Sequence, residues 1–401
     1  MRWRRFLPIL IAGLVLSVGI ACAQLATRQS ATPEPQPSIA VESSPSVAAA
    51  AELPAETEAI AASVSGGLFN PPRGDVRFVV FSDLNSSYGS TDYDPDVDKV
   101  VTLLPFWQPD MVLCSGDMVA GQDISLSPDQ LNAMWSAFDQ HVAAPLRQAK
   151  LPYGFTLGNH DASSAQGVGG AFLFQQERDV AAQFWLDPAH DPGVEFVDRT
   201  DYPFYFTFKF NDIFFISWDG SSNIIPPDKL AWVEQALASP EAQQAKMRIL
   251  LGHLPLYAIT VGRDEPGEVM QNADQLRAML EKYNVHTHIS GHDHGYFPAH
   301  RGTLQLLHTG ILGSGPRPLL NSDLPPWKAV TVIDVMLDSP NLSTYTTYEM
   351  QTLQPIDHAQ LPRFITGHNG ITIRRDLKWE DLTAAEKAQC EQQIGKERCT
   401  A

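Results

Sequence analysis

Five short polar clusters punctuate this chain, and each closes an apolar run the length of one strand. They are Asp83-Leu84-Asn85, Gly116-Asp117, Gly158-Asn159-His160-Asp161, Gly252-His253 and Gly291-His292-Asp293-His294. The runs that lead into them are 77–81, 110–114, 153–157, 247–251 and 285–289, the first four mostly apolar and the last bounded by Val285 and Ile289. Such runs suit strands buried on both faces. Helical patterns separate the first three, one at 96–107 and one at 127–149 with Ser127 as N-cap and Pro128 at the first helical position. Strand, polar loop and helix in repetition is an α/β pattern. A chain built this way gathers Asp, Asn and His side chains at the ends of neighbouring strands.

The second half changes character. Two β-rich runs, 204–210 and 213–218, flank Asn211-Asp212 and read as a hairpin. Helices are expected at 227–238 and from an Asn272 cap to Lys282, and further strands near 304–308, 329–335 and 342–348. Thr383 and Glu386 form a capping-box pair for a terminal helix.

The donor types define the chemistry. Asp83 and Asp117 offer carboxylates at strand ends, and a carboxylate between two cations lowers their mutual repulsion. Asn159 adds an amide oxygen without charge, while His253, His292 and His294 add imidazole nitrogens. A mixed O/N set without thiolate suits Mn, Fe or Zn better than copper or a structural zinc. Two cations about 3.5–4 Å apart can clamp the attacking and leaving oxygens of an in-line displacement.

Charge and the N-terminus bound the setting. The formal net charge is -18, which disfavours binding to a nucleic acid polymer but not to a small phosphate that meets bound metal. Arg2, Arg4 and Arg5 precede an apolar run at 6–21 that contains Pro8. The run falls short of the ~20 apolar residues of a spanning helix and fits an export signal over 1–23. Ala21-Cys22-Ala23 is an A-x-A cleavage site. Gly19-Ile20-Ala21-Cys22 is a loose lipobox, which would end the signal at 21 and place lipid on Cys22. An uncleaved anchor and a twin-arginine signal are the other readings. The expected location is periplasmic or extracellular, with membrane tethering through the N-terminus if Cys22 carries lipid. Residues 24–70, rich in Ala, Pro and Ser, are expected to be a disordered tether. The catalytic domain is expected over 71–375, followed by a charged tail with a short helix over 376–401. Cys390 and Cys399 either pair locally in an oxidising compartment or stay as thiols.

In that order, the five clusters resemble the calcineurin-like metallophosphoesterases, and the resemblance spans residues 83–294. It implies an α/β fold, a four-layer αββα sandwich of two mixed β-sheets flanked by helices. It implies that Asp83 and His294 ligate one divalent metal, that Asn159, His253 and His292 ligate a second, and that Asp117 bridges them. It also implies attack on a small phosphate ester by a metal-bridging hydroxide, with His160, oriented by Asp161, assisting the leaving group. The family's first motif usually reads D-x-H. Here Asn85 stands in the third place, as a ligand, a contact to bound water or a turn cap. Purple acid phosphatases carry a tyrosine where this chain has Ala120, so the kinship to them is not typical.

Two functions follow from the resemblance. One is an exported metal-dependent phosphatase or phosphodiesterase. The other is a catalytically degenerate relative that binds metal or phosphate. Among remaining features, Asp92, Asp94, Asp96 and Asp98 read as a solvated acidic loop, because Val97 occupies the glycine position of a calcium loop. Tyr88, downstream of the first motif, either approaches the site or is an ordinary loop residue, and the Gly-rich run 309–315 after His308 reads as a border of the substrate pocket.

Overall fold

The computed structural model describes residues 52–339 and 343–400. The expected export signal, and the expected tether as far as residue 51, lie outside the described residues. The strands are β1 (Val76–Phe81), β2 (Met111–Cys114), β3 (Tyr153–Phe155), β4 (Glu195–Asp201), β5 (Tyr205–Phe210), β6 (Ile213–Ser217) and β7 (Met247–Leu251). They continue with β8 (Thr287–Ser290), β9 (Tyr296–Arg301), β10 (Leu304–Thr309), β11 (Ala329–Val335), β12 (Ser343–Glu349), β13 (Phe364–Gly367) and β14 (Gly370–Arg374).

They form two mixed sheets, one of order β12-β11-β1-β2-β3 and one of order β13-β14-β9-β10-β8-β7-β6-β5-β4. The sheets pack face to face. The Phe78 ring of β1 meets Phe215 of β6 edge-on at 5.6 Å. Helices cover the outside, as the apolar stripes demand. Pro95–Trp107 buries Val97, Val100, Leu103, Leu104 and Trp107, and Pro128–Phe138 buries Leu131, Met134, Trp135 and Phe138. On the second sheet, Pro227–Ala238 and Ala273–Lys282 do the same. The architecture is the expected sandwich of two mixed sheets flanked by helices.

Chain direction places the clusters. β1, β2 and β3 run parallel, as do β7 and β8. All five polar clusters therefore emerge at the C-terminal ends of strands, the end where open α/β sheets carry their sites. Arg77 fixes β1 deep in the first sheet. Its buried guanidinium grips Asp334 of β11 through two bonds of 2.9 and 3.1 Å.

The structure corrects several expectations. The tether does not extend to residue 70: Ala55–Ser63 is a helix, Thr57 donates to Thr102 O at 2.8 Å, and Val64 and Leu68 are buried in the core. This helix has too few apolar residues for a periodic signal, and tertiary packing holds it. Asn272 takes a left-handed backbone and makes no capping bond. The helix expected over 127–149 contains a π turn at Asp139–Ala143. The acidic stretch is not a freely solvated loop. Asp94 caps the helix that begins at Pro95, and Lys328 pairs with both Asp94 and Asp96 at 2.5 and 3.3 Å. At the C-terminus the Thr383–Glu386 capping box is present, and Cys390 and Cys399 form a disulfide.

Candidate metal centre

The five strand ends turn sharply, and the turn is built into the residues that matter. Asp83, Asp117, His292 and His294 have φ of 53°, 55°, 64° and 56°. Non-glycine residues avoid this region at a cost of about 1–2 kcal/mol each, and such strain gathers at functional sites. Backbone bonds hold it in place. Asp83 N donates to Gly116 O at 3.0 Å, Leu84 N to Asp117 O at 2.8 Å, and Gly291 N to His253 O at 3.0 Å. The Gly-rich run after β10 closes the set, with Gly313 N on Asp83 O at 2.7 Å. A Cβ on Gly313 would sit 2.7 Å from Asp83 O, so only glycine allows this approach. The run thus grips the backbone under Asp83, and was not legible in that role from sequence.

The side chains converge. Ligand atoms of Asp83, Asp117 and His253 lie within 4.8 Å of one another, all buried. His253 Nε2 is 3.3 Å from Asp117 Oδ2 and 2.8 Å from Asn159 Oδ1. His292 Nδ1 lies 2.9 Å from the same Asn159 oxygen. His294 Nε2 lies 3.4 Å from Asp83 Oδ1. Asn85 is buried beside them. Its backbone oxygen accepts from Ser314 N at 3.3 Å, and no hydrogen bond among the described residues reaches its amide.

Outer partners fix which nitrogen of each imidazole faces inward. His253 Nδ1 donates to Ser115 O at 2.8 Å, and His294 Nδ1 to Gly315 O at 2.9 Å. His292 Nε2 donates to Glu268 Oε2 at 2.9 Å, and Arg263 pairs with that same carboxylate oxygen. The remaining nitrogens face into the cluster, and in the neutral imidazole each carries a lone pair there. Asn159 is fixed too, since its Nδ2 donates to Gln122 Oε1 at 2.9 Å and leaves Oδ1 facing both imidazoles. Gln122, Glu268 and Arg263 were not singled out from the sequence. They sit on loops with no periodic signal, and only the fold shows what they touch.

The electrostatics follow. Burial pushes Asp117 up, but the charges of His253 and His160 outweigh it and hold its carboxyl well below the usual range. Burial likewise opposes the bond and charge of His294 at Asp83, and the balance again falls below the usual range. His253 rises to about 9, because the Asp117 carboxylate overcomes the burial that would lower it. His292 falls to about 4, mainly through burial, with the Glu268 bond opposing. The cluster's anionic oxygens hold a positive charge at His253.

His160 lies at the edge of this group, its Nε2 3.9 Å from Asp117 Oδ2. Its orientation corrects the expectation. Among the described residues no hydrogen bond joins Asp161 to the His160 ring. Instead, His160 Nδ1 donates to Gly121 O at 2.9 Å. Asp161 is turned back by the short helix Asn159–Ala162 and accepts from Met118 N at 2.7 Å, Val119 N at 2.9 Å and Gly158 N at 2.8 Å. It staples two motif loops together. Burial first, and the Asp117 charge second, lift it to about 7. His308 is buried, with Nδ1 2.8 Å from Asp293 Oδ2, and so steadies the loop between His292 and His294.

The calcineurin-like phosphoesterase family model matches residues 76–296, more than half of the chain. The chain belongs to the calcineurin-like phosphoesterase family. No curated protein matches it. Among solved structures it is similar to a purple acid phosphatase from yellow lupin (Lupinus luteus), at 16% identity over 72% of this chain and 54% of that one, with a TM-score of 0.49. It is also similar to GAP50, the anchor in the inner membrane complex of Plasmodium, at 16% identity over 70% of this chain and 87% of that one, with a TM-score of 0.41. The E. coli phosphoesterase Yfce matches at 12% identity over 67% of this chain and 98% of that one, with a TM-score of 0.28. The chain thus spans about half the length of the lupin enzyme.

Proposed function

We propose that this chain is an exported hydrolase of small phosphate esters that works with two divalent cations. One observation carries the reading: three imidazoles whose outer nitrogens are committed turn their inner nitrogens onto the oxygens of Asp83, Asp117 and Asn159. Lone pairs aimed at lone pairs repel unless a cation or proton lies between them. His294 Nε2 is buried and faces Asp83 Oδ1 at 3.4 Å without a well-formed hydrogen bond, which also fits a cation between the two. The donor set suits divalent Mn, Fe or Zn. Asp83 and His294 would hold one cation, Asn159, His253 and His292 the other, and Asp117 both, with Asn85 a further donor to the first. When bound, the pair would acidify water and draw charge from the phosphate oxygens.

The chain's own residues do the rest. Glu268, Ser115 O and Gly315 O keep each imidazole in the tautomer that can donate its lone pair inward. The Gly121 carbonyl holds His160 Nδ1–H, so Nε2 is the atom that gives a hydrogen bond or proton to the departing oxygen. Asp161 serves by fixing the 116–121 and 158–160 loops against each other, not by a hydrogen bond to the imidazole. The acidic surface favours small substrates over polyanions. The Cys390–Cys399 disulfide supports export, because such bonds persist in oxidising compartments. The apolar segment at 6–21 supports the same reading.

The test uses purified, metal-loaded protein on a chromogenic phosphate ester and on mono- and diester panels. The wild type is expected to turn over, and His160→Ala to lose roughly 10²–10⁴-fold in kcat, the usual range for a general acid. Full metal occupancy with no hydrolysis of any ester would instead favour the degenerate relative.

A further inference from the structure

Tyr88, read from sequence as an ordinary loop residue or one that approaches the site, stands beside His160. Ser87-Tyr88-Gly89-Ser90 is a tight turn, closed by Ser90 N on Ser87 O at 2.9 Å, with Gly89 at φ 77°. Glycine in the third place with positive φ is the requirement of a type II turn. The second place, Tyr88, is thereby pushed outward, and the residue is 62% exposed. Its ring is nonetheless placed. It stacks on the His160 imidazole with centroids 5.2 Å apart and planes at 29°.

That stack rests on one short segment. Gly89 N donates to Ala120 O at 2.7 Å, and Gly121 N to His160 O at 2.9 Å. His160 Nδ1 returns the bond to Gly121 O at 2.9 Å. Tyrosine turn and imidazole are therefore anchored to adjacent residues of the loop that follows Asp117. One face of the Tyr88 ring lies on His160, and most of the residue stays in water. A held aromatic surface with an open side is a stacking platform.

We infer that Tyr88 is a specificity-determining residue, a platform on which the substrate's leaving group stacks. The inference rests on the proposed role of His160 at the departing oxygen, because the group beyond that oxygen then reaches the ring beside His160. The preferred substrate is a phosphate ester whose leaving group carries a planar aromatic ring within a few bonds of the ester oxygen. Aliphatic leaving groups of similar size gain nothing from the stack.

The experiment compares wild type, Tyr88→Ala, Tyr88→Leu and Tyr88→Trp, all metal-loaded. The esters are phenyl phosphate, adenosine 5′-monophosphate and cyclohexyl phosphate. Each variant is compared with the wild type on the same ester, which cancels the intrinsic reactivity of the leaving group. Stacking on an aromatic side chain is worth roughly tenfold or more in affinity. Tyr88→Ala and Tyr88→Leu are therefore expected to lose about tenfold in kcat/KM on an aromatic ester relative to cyclohexyl phosphate, while Tyr88→Trp keeps the preference. Whether phenyl phosphate or the nucleotide shows the loss tells how far the ring lies from the ester oxygen. Equal losses on all three esters, or no loss on any, would overturn the platform.

Binding of phenylphosphonate and cyclohexylphosphonate, followed by calorimetry, needs no turnover. A Tyr88-dependent preference for the phenyl compound without any hydrolysis would sink the hydrolase reading and keep the platform. Hydrolysis without that preference would do the reverse.

Discussion

Glu268 offers the sharpest perturbation of the proposed second cation site. It accepts from His292 Nε2 at 2.9 Å, whereas His253 and His294 give their outer N–H to backbone carbonyls. His292 is thus the one inward imidazole backed by a full negative charge. The bond from His292, with burial opposing and Arg263 adding to the effect, holds the Glu268 carboxyl down to about 2, so it is ionised at any working pH. Losing an outer partner of this kind typically costs 10–100-fold in metal affinity, or about 1.4–2.7 kcal/mol. The Glu268 side chain is 34% exposed, so its removal leaves the fold intact. Glu268→Ala is expected to weaken one of two metal-binding steps by about that factor, and Glu268→Gln, which keeps an acceptor oxygen, by less. Competition against a chelating indicator dye resolves the two steps, and a thermal melt checks the fold. Equal weakening of both steps, or none in Glu268→Ala, would refute the assignment of this carboxylate to one ligand.

Three further outcomes follow from burial and charge. In the metal-free protein His253 carries a proton up to about pH 9, and a cation needs that nitrogen's lone pair. Metal binding at pH 7 should therefore release a proton, and apparent affinity should rise by up to about tenfold per pH unit until about pH 9, then level off. Calorimetry in buffers of different ionisation enthalpy reads the release directly, and binding that is flat between pH 6 and 8 would contradict it. By the same linkage, the raised value stabilises the metal-free fold fully below the ordinary histidine value of about 6.5, and this contribution fades as pH rises through about 9. Asp334→Ala strands the buried Arg77 guanidinium without its carboxylate and should cost about 3–5 kcal/mol in urea unfolding. A loss below 1 kcal/mol would show that the pair does not hold β1 to β11.

The sequence was most legible where one strand carries both packing and chemistry. β1, β2, β3, β7 and β8 are buried along nearly their whole length, so their runs stand out, and each ends at its polar cluster. The 205–217 hairpin was equally plain, because Asn211-Asp212 separates two aromatic-rich runs. β4 gave no such signal: it is a half-exposed edge strand with Asp198 and Asp201 within it. The helix at Ala55–Ser63 was hidden because a long Ala-Pro-Ser stretch precedes it and its own apolar residues are few. At the site, donor types were readable and their supports were not. Glu268, Gln122 and Gly313 act through contacts between segments distant in sequence, which no local pattern encodes. Asp161 was expected to orient His160, since the two are adjacent in sequence. The helical turn at 159–162 sends it instead toward the backbone of residues 118 and 119.

The central claim is that these six side chains jointly cage a pair of cations. Crystals of the metal-loaded protein, measured with anomalous scattering at the edge of the bound element, test it most directly. Two peaks about 3.5–4 Å apart, one beside Asp83 and His294, the other beside Asn159, His253 and His292, and both within reach of Asp117, are the predicted result. A fully loaded crystal with one peak, or with peaks away from these side chains, would contradict it.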